Sequence, residues 1–238
     1  MNPIWIIAKR ELGSFFDSLL AYIMIIGFLG MSGFFTWLSG GDIFFRKEAS
    51  LQVFFGVAFW TLFFFIPAIT MRQVAEEKKT GTMEMLLTKS VTAQQLVIGK
   101  WLACFLLVAI ALAFTIPYYI TVAQLGDIDH GATICGYLGL LLMSAVYVSI
   151  GIFASSLTNN QVIAFLFALI IGIFFHFLFD VLASGSSGIL GELASTLSLS
   201  THFESISRGV IDSKDLIYFI SLTLFGILMA EFMISKRK

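Results

Sequence analysis

Six apolar runs, each close to the length of a helix that crosses a bilayer, constrain this chain more than any other feature. A hydrocarbon core about 30 Å thick needs about 20 mostly apolar helical residues to cross it. The runs are residues 19–38, 51–71, 101–123, 134–157, 162–182 and 216–233. Only 12% of the residues are charged, whereas about a quarter are charged in a soluble domain. We therefore predict an all-α polytopic membrane protein with six transmembrane helices in a single domain, residues 1–238.

The segment between the second and third runs is strongly charged. Residues 72–100 contain eight charged side chains, and each Lys, Arg or Asp near a bilayer centre costs about 2.5–3.5 kcal/mol. The segment is therefore predicted to be a water-exposed loop. Within it, Thr80-Gly81-Thr82 is typical of a turn, and Met83, Met85 and the Leu86-Leu87 pair predict a short amphipathic helix across the loop. This pattern favours a docking element.

The basic residues predict the orientation of the chain. Ten Lys and Arg side chains fall on one side of the six runs and four on the other. Because cytoplasmic loops carry the excess of Lys and Arg, both termini and the 72–100 loop are predicted to be cytoplasmic. Pro67 and Pro117 lie within the second and third runs, and each is predicted to bend its helix because proline removes a backbone donor.

Two segments outside the six runs also have helical patterns. In residues 1–17, Ile4, Ala8, Leu12 and Phe15 recur at helical spacing, which predicts a helix lying in the inner interface; a plain cytoplasmic lead-in is the alternative.

The outer connection, residues 183–212, shows apolar residues at helical spacing. They are Ile189, Leu190, Leu193, Leu197, Phe203, Ile206 and Val210. We predict one or two short helices packed on the outer mouth of the bundle, and a loop resting on the headgroups is the alternative.

Two ionisable residues lie inside the fifth run. His176 and Asp180 have i, i+4 spacing, so on an α-helix they would share a face and could pair. Intramembrane ionisable groups either line a pathway or form structural ion pairs, and the sequence leaves both readings open. The aromatic residues of the second and fifth runs are predicted to be lipid-facing bulk, with a helix interface or a lipid-like substrate surface as the alternatives. They are Phe54, Phe55, Trp60, Phe63, Phe64 and Phe65 on the second run and Phe174, Phe175, Phe177 and Phe179 on the fifth.

The sequence contains no motif for chemistry of its own. It has no phosphate-binding Gly-x-x-x-x-Gly-Lys-Ser/Thr loop and no His-Glu-x-x-His metalloprotease motif. Its three histidines are far apart in the sequence. The chain is therefore predicted to be a non-catalytic membrane subunit without a cofactor or metal, and nothing in it favours nucleic acid as a partner. Any use of ATP requires a partner that supplies the site.

The order of these elements and one motif resemble a known family. An interfacial helix, two spans, the motif, and four further spans with a helical outer excursion resemble the ABC-2 type permease family over essentially the whole chain. The motif comprises Glu76, Glu77, Lys78, Lys79, Gly81, Thr82, Met83, Glu84, Met85, Leu86 and Leu87. It is similar to the family's coupling helix, which inserts into a cleft of an ATP-binding subunit. Ser90 departs from the pattern, since relatives often carry proline there.

The resemblance implies partners for the chain. These are two copies of an ABC ATP-binding subunit, which would bind ATP and Mg²⁺, and a second permease half, the same chain or a homologous one. It also implies a place in the bacterial inner membrane, and it leaves room for a periplasmic or membrane accessory subunit. Four stretches are most similar to the gliding-motility-associated permease subunits of Bacteroidetes. They are residues 66–72, 202–203, 208–212 and 215–219.

The function implied by the resemblance is coupling of ATP hydrolysis in the partner to movement of a substrate or of envelope machinery. Two alternatives remain. In one, the chain is a mechanotransmitting or assembly subunit that translocates nothing. In the other, less favoured, it is an ion-coupled secondary transporter using His176 and Asp180, which would require inverted repeats and broken midplane helices.

Overall fold

The computed structural model describes residues 2–39, 48–83, 91–185 and 188–236. These residues are predominantly helical, and no strand occurs among them. Six successive helical segments are long and apolar enough to cross a membrane. This finding confirms the six predicted spans and the all-α fold.

The helices follow the predicted order. A leading helix, α1 (Pro3–Asp17), precedes span one, α2 (Leu19–Trp37). Span two is α3 (Gln52–Thr70), continued by α4 (Arg72–Thr80), and span three is α5 (Ala93–Ala113) followed by α6 (Ile116–Leu125). Span four is α7 (His130–Leu157). Span five is α8 (Gln161–Ile173), a π-helix (Phe174–Leu178) and α9 (Phe179–Gly185). The outer helices α10 (Ile189–Leu197) and α11 (Leu199–Ser207) lead to span six, α12 (Ser213–Ser235).

Local side chains fix where several of these helices begin. The hydroxyl of Thr92 accepts a hydrogen bond from the amide of Gln95, whose side chain bonds back to the Thr92 amide, so α5 starts with a capping box. The side chains of Asp129, Asn160 and Asp212 accept amide hydrogen bonds at the starts of α7, α8 and α12. Each cap satisfies a donor that the first helical turn leaves unpaired.

The two prolines act differently. Span three is interrupted after Ala113, and Pro117 is the second residue of α6, so the predicted break at this proline is confirmed. Pro67 lies inside α3, and the helix passes through it. Span two is interrupted at Met71 instead, four residues later, where the amide of Met71 still donates to the Pro67 carbonyl at 2.9 Å.

Helix α1 lies against the bundle. Its Ala8 and Phe15 are buried, and at Gly99 of α5 an added Cβ would lie 2.7 Å from Ile7 Cγ2. The apolar face read from the sequence therefore packs on protein because the missing side chain at Gly99 lets the two helices approach closely. Trp5 and Ile6 point away from the bundle, and each is about half exposed.

The outer connection forms two short helices, as predicted. On α10, the apolar side chains expected to pack inward are largely exposed, and Ile189 and Leu190 are 78% and 73% exposed. On α11, Phe203 and Ile206 are buried. Only the second helix therefore packs deeply into the bundle, while the first presents its apolar side outward.

Span four is the centre of the fold. Of its most apolar stretch, 78% is buried inside the protein, compared with 22% for spans five and six. At Gly151 an added Cβ would lie 2.0 Å from the Thr70 hydroxyl oxygen, so only glycine lets spans two and four pack this closely. Phe54, Phe55, Phe59 and Phe63 of span two are buried. The expectation of lipid-facing bulk is wrong for Phe54, Phe55 and Phe63, because span two faces span four.

We predict that Gly151→Ala destabilises the protein by about 1–3 kcal/mol, the usual cost of overpacking a core. The Thr70 hydroxyl donates to the Ile66 carbonyl at 2.9 Å, and the Thr70 Cβ would also lie only 2.7 Å from the added atom, so a change of rotamer does not relieve the clash. The measurement is the free energy of unfolding in detergent.

Gly30→Ala is the matched control, because an added Cβ at Gly30 meets no atom within 4 Å. Adding Thr70→Ala to Gly151→Ala should recover much of the loss. Equal stability of the Gly30 and Gly151 variants would contradict the close packing of spans two and four.

Candidate functional site

Helix α4 carries span two beyond the apolar part of the chain. Its sequence is polar and charged, and Gly81 ends it with φ of 72°, a left-handed conformation that favours glycine. Lys78 and Lys79 lie in the last turn, where positive charge interacts favourably with the helix dipole. The charged helix is therefore a defined arm on the side predicted to be cytoplasmic.

A buried ion cluster fixes this arm. The Lys100 ammonium lies 2.7 Å from Glu77 Oε1 of α4 and 3.4 Å from Glu11 Oε1 of α1. Lys100 belongs to α5 and its side chain is only 1% exposed. One cation on span three thus holds a carboxylate from the leading helix and another from the arm.

Arg10 completes the cluster at its solvent-exposed edge. Its guanidinium lies 2.5 Å from Glu11 Oε1 and 3.8 Å from Glu77 Oε1. Burial alone would raise the pKa of Glu11, but Lys100 and Arg10 outweigh that effect and hold the pKa below its usual range. Glu11 is therefore ionised at neutral pH and able to pair with both cations.

Span four holds the arm from the opposite side. The Ser155 hydroxyl donates to the Met71 carbonyl at 2.8 Å and accepts from the amides of Val74 and Ala75 at 3.1 and 3.0 Å. In a regular helix, Ala75 would donate to Met71 directly. The serine is thus inserted into the backbone ladder where α3 meets α4. Nearby, the Lys78 ammonium donates to the Ser156 carbonyl.

Two polar pockets flank the arm. One, of about 510 Å³, lies between α1 and α4. It is lined by Arg10, Glu11, Ser14, Phe15, Ser18, Arg72, Gln73, Glu76, Glu77, Thr80, Thr82 and Lys100. The other, of about 660 Å³, lies between Lys79 and the turn joining spans four and five. Concave polar surfaces beside an exposed charged helix are suited to contact with a protein partner.

The motif residues separate into two groups. Glu76 and Lys79 are exposed, while Glu77 and Lys78 make contacts within the chain. Gly81 and Thr82 are exposed and Met83 is buried. Glu84, Met85, Leu86 and Leu87 lie outside the described residues, so their amphipathic helix stays a prediction. Within residues 2–39, 48–83, 91–185 and 188–236, no group of three or more His, Cys, Asp or Glu side chains could hold a metal ion.

Sequence reasoning missed the residues that fix the arm. Lys100, Glu11, Arg10 and Ser155 were not singled out. A signal was available for Lys100, which stands between Gly99 and Trp101 at the edge of an apolar run, where a charge needs a partner. Nothing in the local sequence around Ser155 distinguishes it from the other serines of span four.

His176 and Asp180 do not form the ion pair that their spacing suggested. His176 is buried, and its Nδ1 shares a hydrogen bond of 2.6 Å with the Tyr147 hydroxyl. Asp180 is exposed, and it makes no ion pair with His176 in the part of the chain that the structure describes. The π-helix at Phe174–Leu178 explains the difference, because its wider turn moves the two side chains out of α-helical register.

We predict that Lys100→Met destabilises the protein by about 3 kcal/mol, near the lower end for breaking a buried ion pair because both carboxylates keep some exposure. The change removes the buried cation and leaves Glu77 and Glu11 with the half-exposed Arg10 as their cationic neighbour. Unfolding in detergent measures the loss, and Lys100→Met combined with Glu77→Gln should recover part of it.

Lys214→Met is the control for this variant, because the Lys214 and Asp212 side chains of its pair are 69% and 44% exposed. Exposed pairs contribute little, so stability should be unchanged. An equally small effect at Lys100 would mean that the buried cluster does not hold the arm.

We predict that Ser155→Ala loosens α4 without unfolding the spans, because Val74 and Ala75 lose their shared acceptor. Hydrogen exchange of peptides from α4 should become faster. Ser156→Ala is the control, since that hydroxyl donates to Phe153 within its own helix. Exchange that is the same in both variants would rule out a role for Ser155 in fixing the arm.

Comparison with known proteins agrees with this architecture. Residues 42–230 match the ABC-2 family transporter protein family, from just before span two to near the end of span six. No curated protein matches the chain. The matched region covers well over half of the sequence and includes the arm and the ion cluster's residues on α4 and α5. The chain therefore belongs to the ABC-2 transporter family, whose members are membrane subunits that work with an ABC ATP-binding partner.

Proposed function

We propose that this chain is the permease subunit of an ABC exporter-like complex and that α4 transmits the partner's ATP-driven movement into the bundle. The observation that carries the proposal is the fixed arm itself. A charged helix, exposed at Glu76, Lys79 and Thr80, continues span two and is held between Lys100 on span three and Ser155 on span four. A surface loop with no mechanical role would not need a buried cation and an inserted serine to hold it.

The contacts of Lys100 and Ser155 with α4 allow a force on the arm to move several helices. Helix α4 continues α3 after the single interruption at Met71, so force applied to the following loop acts on span two. Because Glu77 of α4 and Glu11 of α1 both bind Lys100 of span three, α1 and span three move together with α4. Coupling of this kind is a free energy shared between two distant sites, in this case the ATP-binding partner and the bundle.

Two observations support the proposed partners: the family of the chain and its lack of a phosphate-binding motif. The sequence contains no phosphate-binding loop, so ATP and Mg²⁺ belong to the ABC partner, in two copies. A second permease half, the same chain or a homologous one, completes the membrane part. We place both termini in the cytoplasm of a bacterial inner membrane, with gliding machinery as one setting suggested by the sequence resemblance.

A second candidate function is a mechanotransmitting or assembly subunit that translocates nothing. The exposed apolar side of α10 favours it, because Ile189, Leu190 and Leu193 are 78%, 73% and 56% exposed and offer a surface to an outer partner. ATPase activity stimulated by a substrate would support the exporter. A stable protein partner bound to residues 183–212 would support the second function.

We predict that Leu86→Asp, or reversal of charge at Glu84, releases the ATPase while the spans stay folded. A carboxylate in place of the leucine would have to lose its water to enter an apolar cleft of the ATPase, which costs a large free energy of binding. The measurement is co-purification of ATPase activity with the tagged chain, extracted from its native host in mild detergent.

Leu190→Asp provides the matched control, because it makes the same chemical change on the outer segment and should leave the ATPase bound. Retention of full ATPase activity by the Leu86 and Glu84 variants would exclude this loop as the coupling element. A parent chain that purifies without any ATPase would overturn the proposed function.

A further inference from the structure

Helix α11 reaches from the outer segment into the bundle and contacts span two at two places. At its end, the Gln52 side-chain amide donates to the Ser207 carbonyl at 2.9 Å. Deeper in the bundle, the Phe203 ring stacks on Phe59, with ring centroids 4.5 Å apart and planes 20° from parallel. The outer helix is therefore seated on span two as well as on span four.

The ring contact continues into span five. Phe59 stacks on the His176 imidazole at 4.1 Å and 23°, and His176 stacks in turn on Phe63 at 4.7 Å and 29°. Four rings thus form a column: Phe203, Phe59, His176 and Phe63. We call this set the ring column. It joins α11, span two and span five through close, nearly parallel contacts.

His176 is held in the column by groups from other elements. The Tyr147 hydroxyl of span four meets its Nδ1 at 2.6 Å, and the Ser200 hydroxyl of α11 donates to its backbone carbonyl at 2.6 Å. The residue lies in the π-helix of span five, a rare element that occurs often at functional sites. Its Nε2 has no hydrogen-bond partner among the described residues.

We propose that His176 is a positioning residue through which a movement of span two changes the position of α11. This inference rests on the proposed function, because it requires span two to move. Phe59 and Phe63 sit on α3, which α4 continues towards the partner. Close-packed cores move between discrete arrangements and do not deform continuously, so a shift of span two carries Phe59, and with it Phe203 and α11.

The experiment follows two distances in the same molecule by spin labelling, with buried Cys104 and Cys135 replaced by alanine. An outer pair joins Glu204 on α11 to Asp127, and an inner pair joins Gln94 at the start of α5 to Asn159 in the turn after span four. All four positions are exposed. The outer pair reports on the position of α11, and the inner pair reports on the end of the bundle near the arm.

The decisive variants are His176→Leu, which removes the ring, and His176→Phe, which keeps a ring but loses the bond to Tyr147. In the isolated chain, His176→Leu should broaden the outer distance distribution and leave the inner one unchanged, and His176→Phe should leave both close to the parent. The unchanged inner distance also shows that the variant is folded.

In the complex purified with its ATPase, ATP should shift both distances in the parent and in His176→Phe. In His176→Leu, the inner shift should remain and the outer shift should be lost. An outer shift that survives in His176→Leu, or is lost in His176→Phe, would overturn the inference while leaving the proposed function intact. No inner shift in the parent would instead overturn the proposed function and the inference with it.

Discussion

The contact of the buried Lys100 ammonium with the carboxylates of Glu77 and Glu11 is the interaction on which the arrangement of α1, α4 and α5 depends. Removing such a cation from water costs several kcal/mol, and the attraction of the two carboxylates offsets that cost only in a favourable geometry. A pair of this kind is weak evidence for stability but effective in specifying one arrangement. In this chain it specifies how α1, α4 and the start of span three fit together, and thereby gives a charged extension of span two a single position.

Span four supplies the surface on which span two rests. Tyr147, Gly151 and Ser155 lie four residues apart along α7 and meet span two at successive depths: Tyr147 against Phe63, Gly151 against Thr70, and Ser155 at the α3–α4 interruption. Residues at this spacing share one helix face. The face combines a hydrogen-bonding ring, a missing side chain and an inserted hydroxyl. Span two can therefore move only with a change at this face, which makes it suited to carrying a signal between the two sides of the membrane.

The sequence predicted the parts of the fold that depend on local pattern. Six apolar runs, the break near Pro117 and the two outer helices were all readable because hydropathy and proline act within one segment. The site depends on contacts between segments: Lys100 meets Glu77 from 23 residues away, and periodicity cannot reveal such a pair. The ion pair that the spacing of His176 and Asp180 suggested is absent for a related reason. Its i, i+4 spacing assumes an α-helix, whereas Tyr147 and Ser200, on other elements, bind His176 within a π-helix.

The most direct test of the central claim is the structure of the complex by electron cryomicroscopy, without nucleotide and with ATP bound. If the Lys100 cluster makes one body of the elements that meet there, α1, α4 and the start of α5 will move together, and the contact of Lys100 with Glu77 will be present in both states. If α4 leaves Lys100 and moves while α1 and α5 stay in place, the cluster does not transmit the movement, and coupling through the Lys100 cluster is wrong.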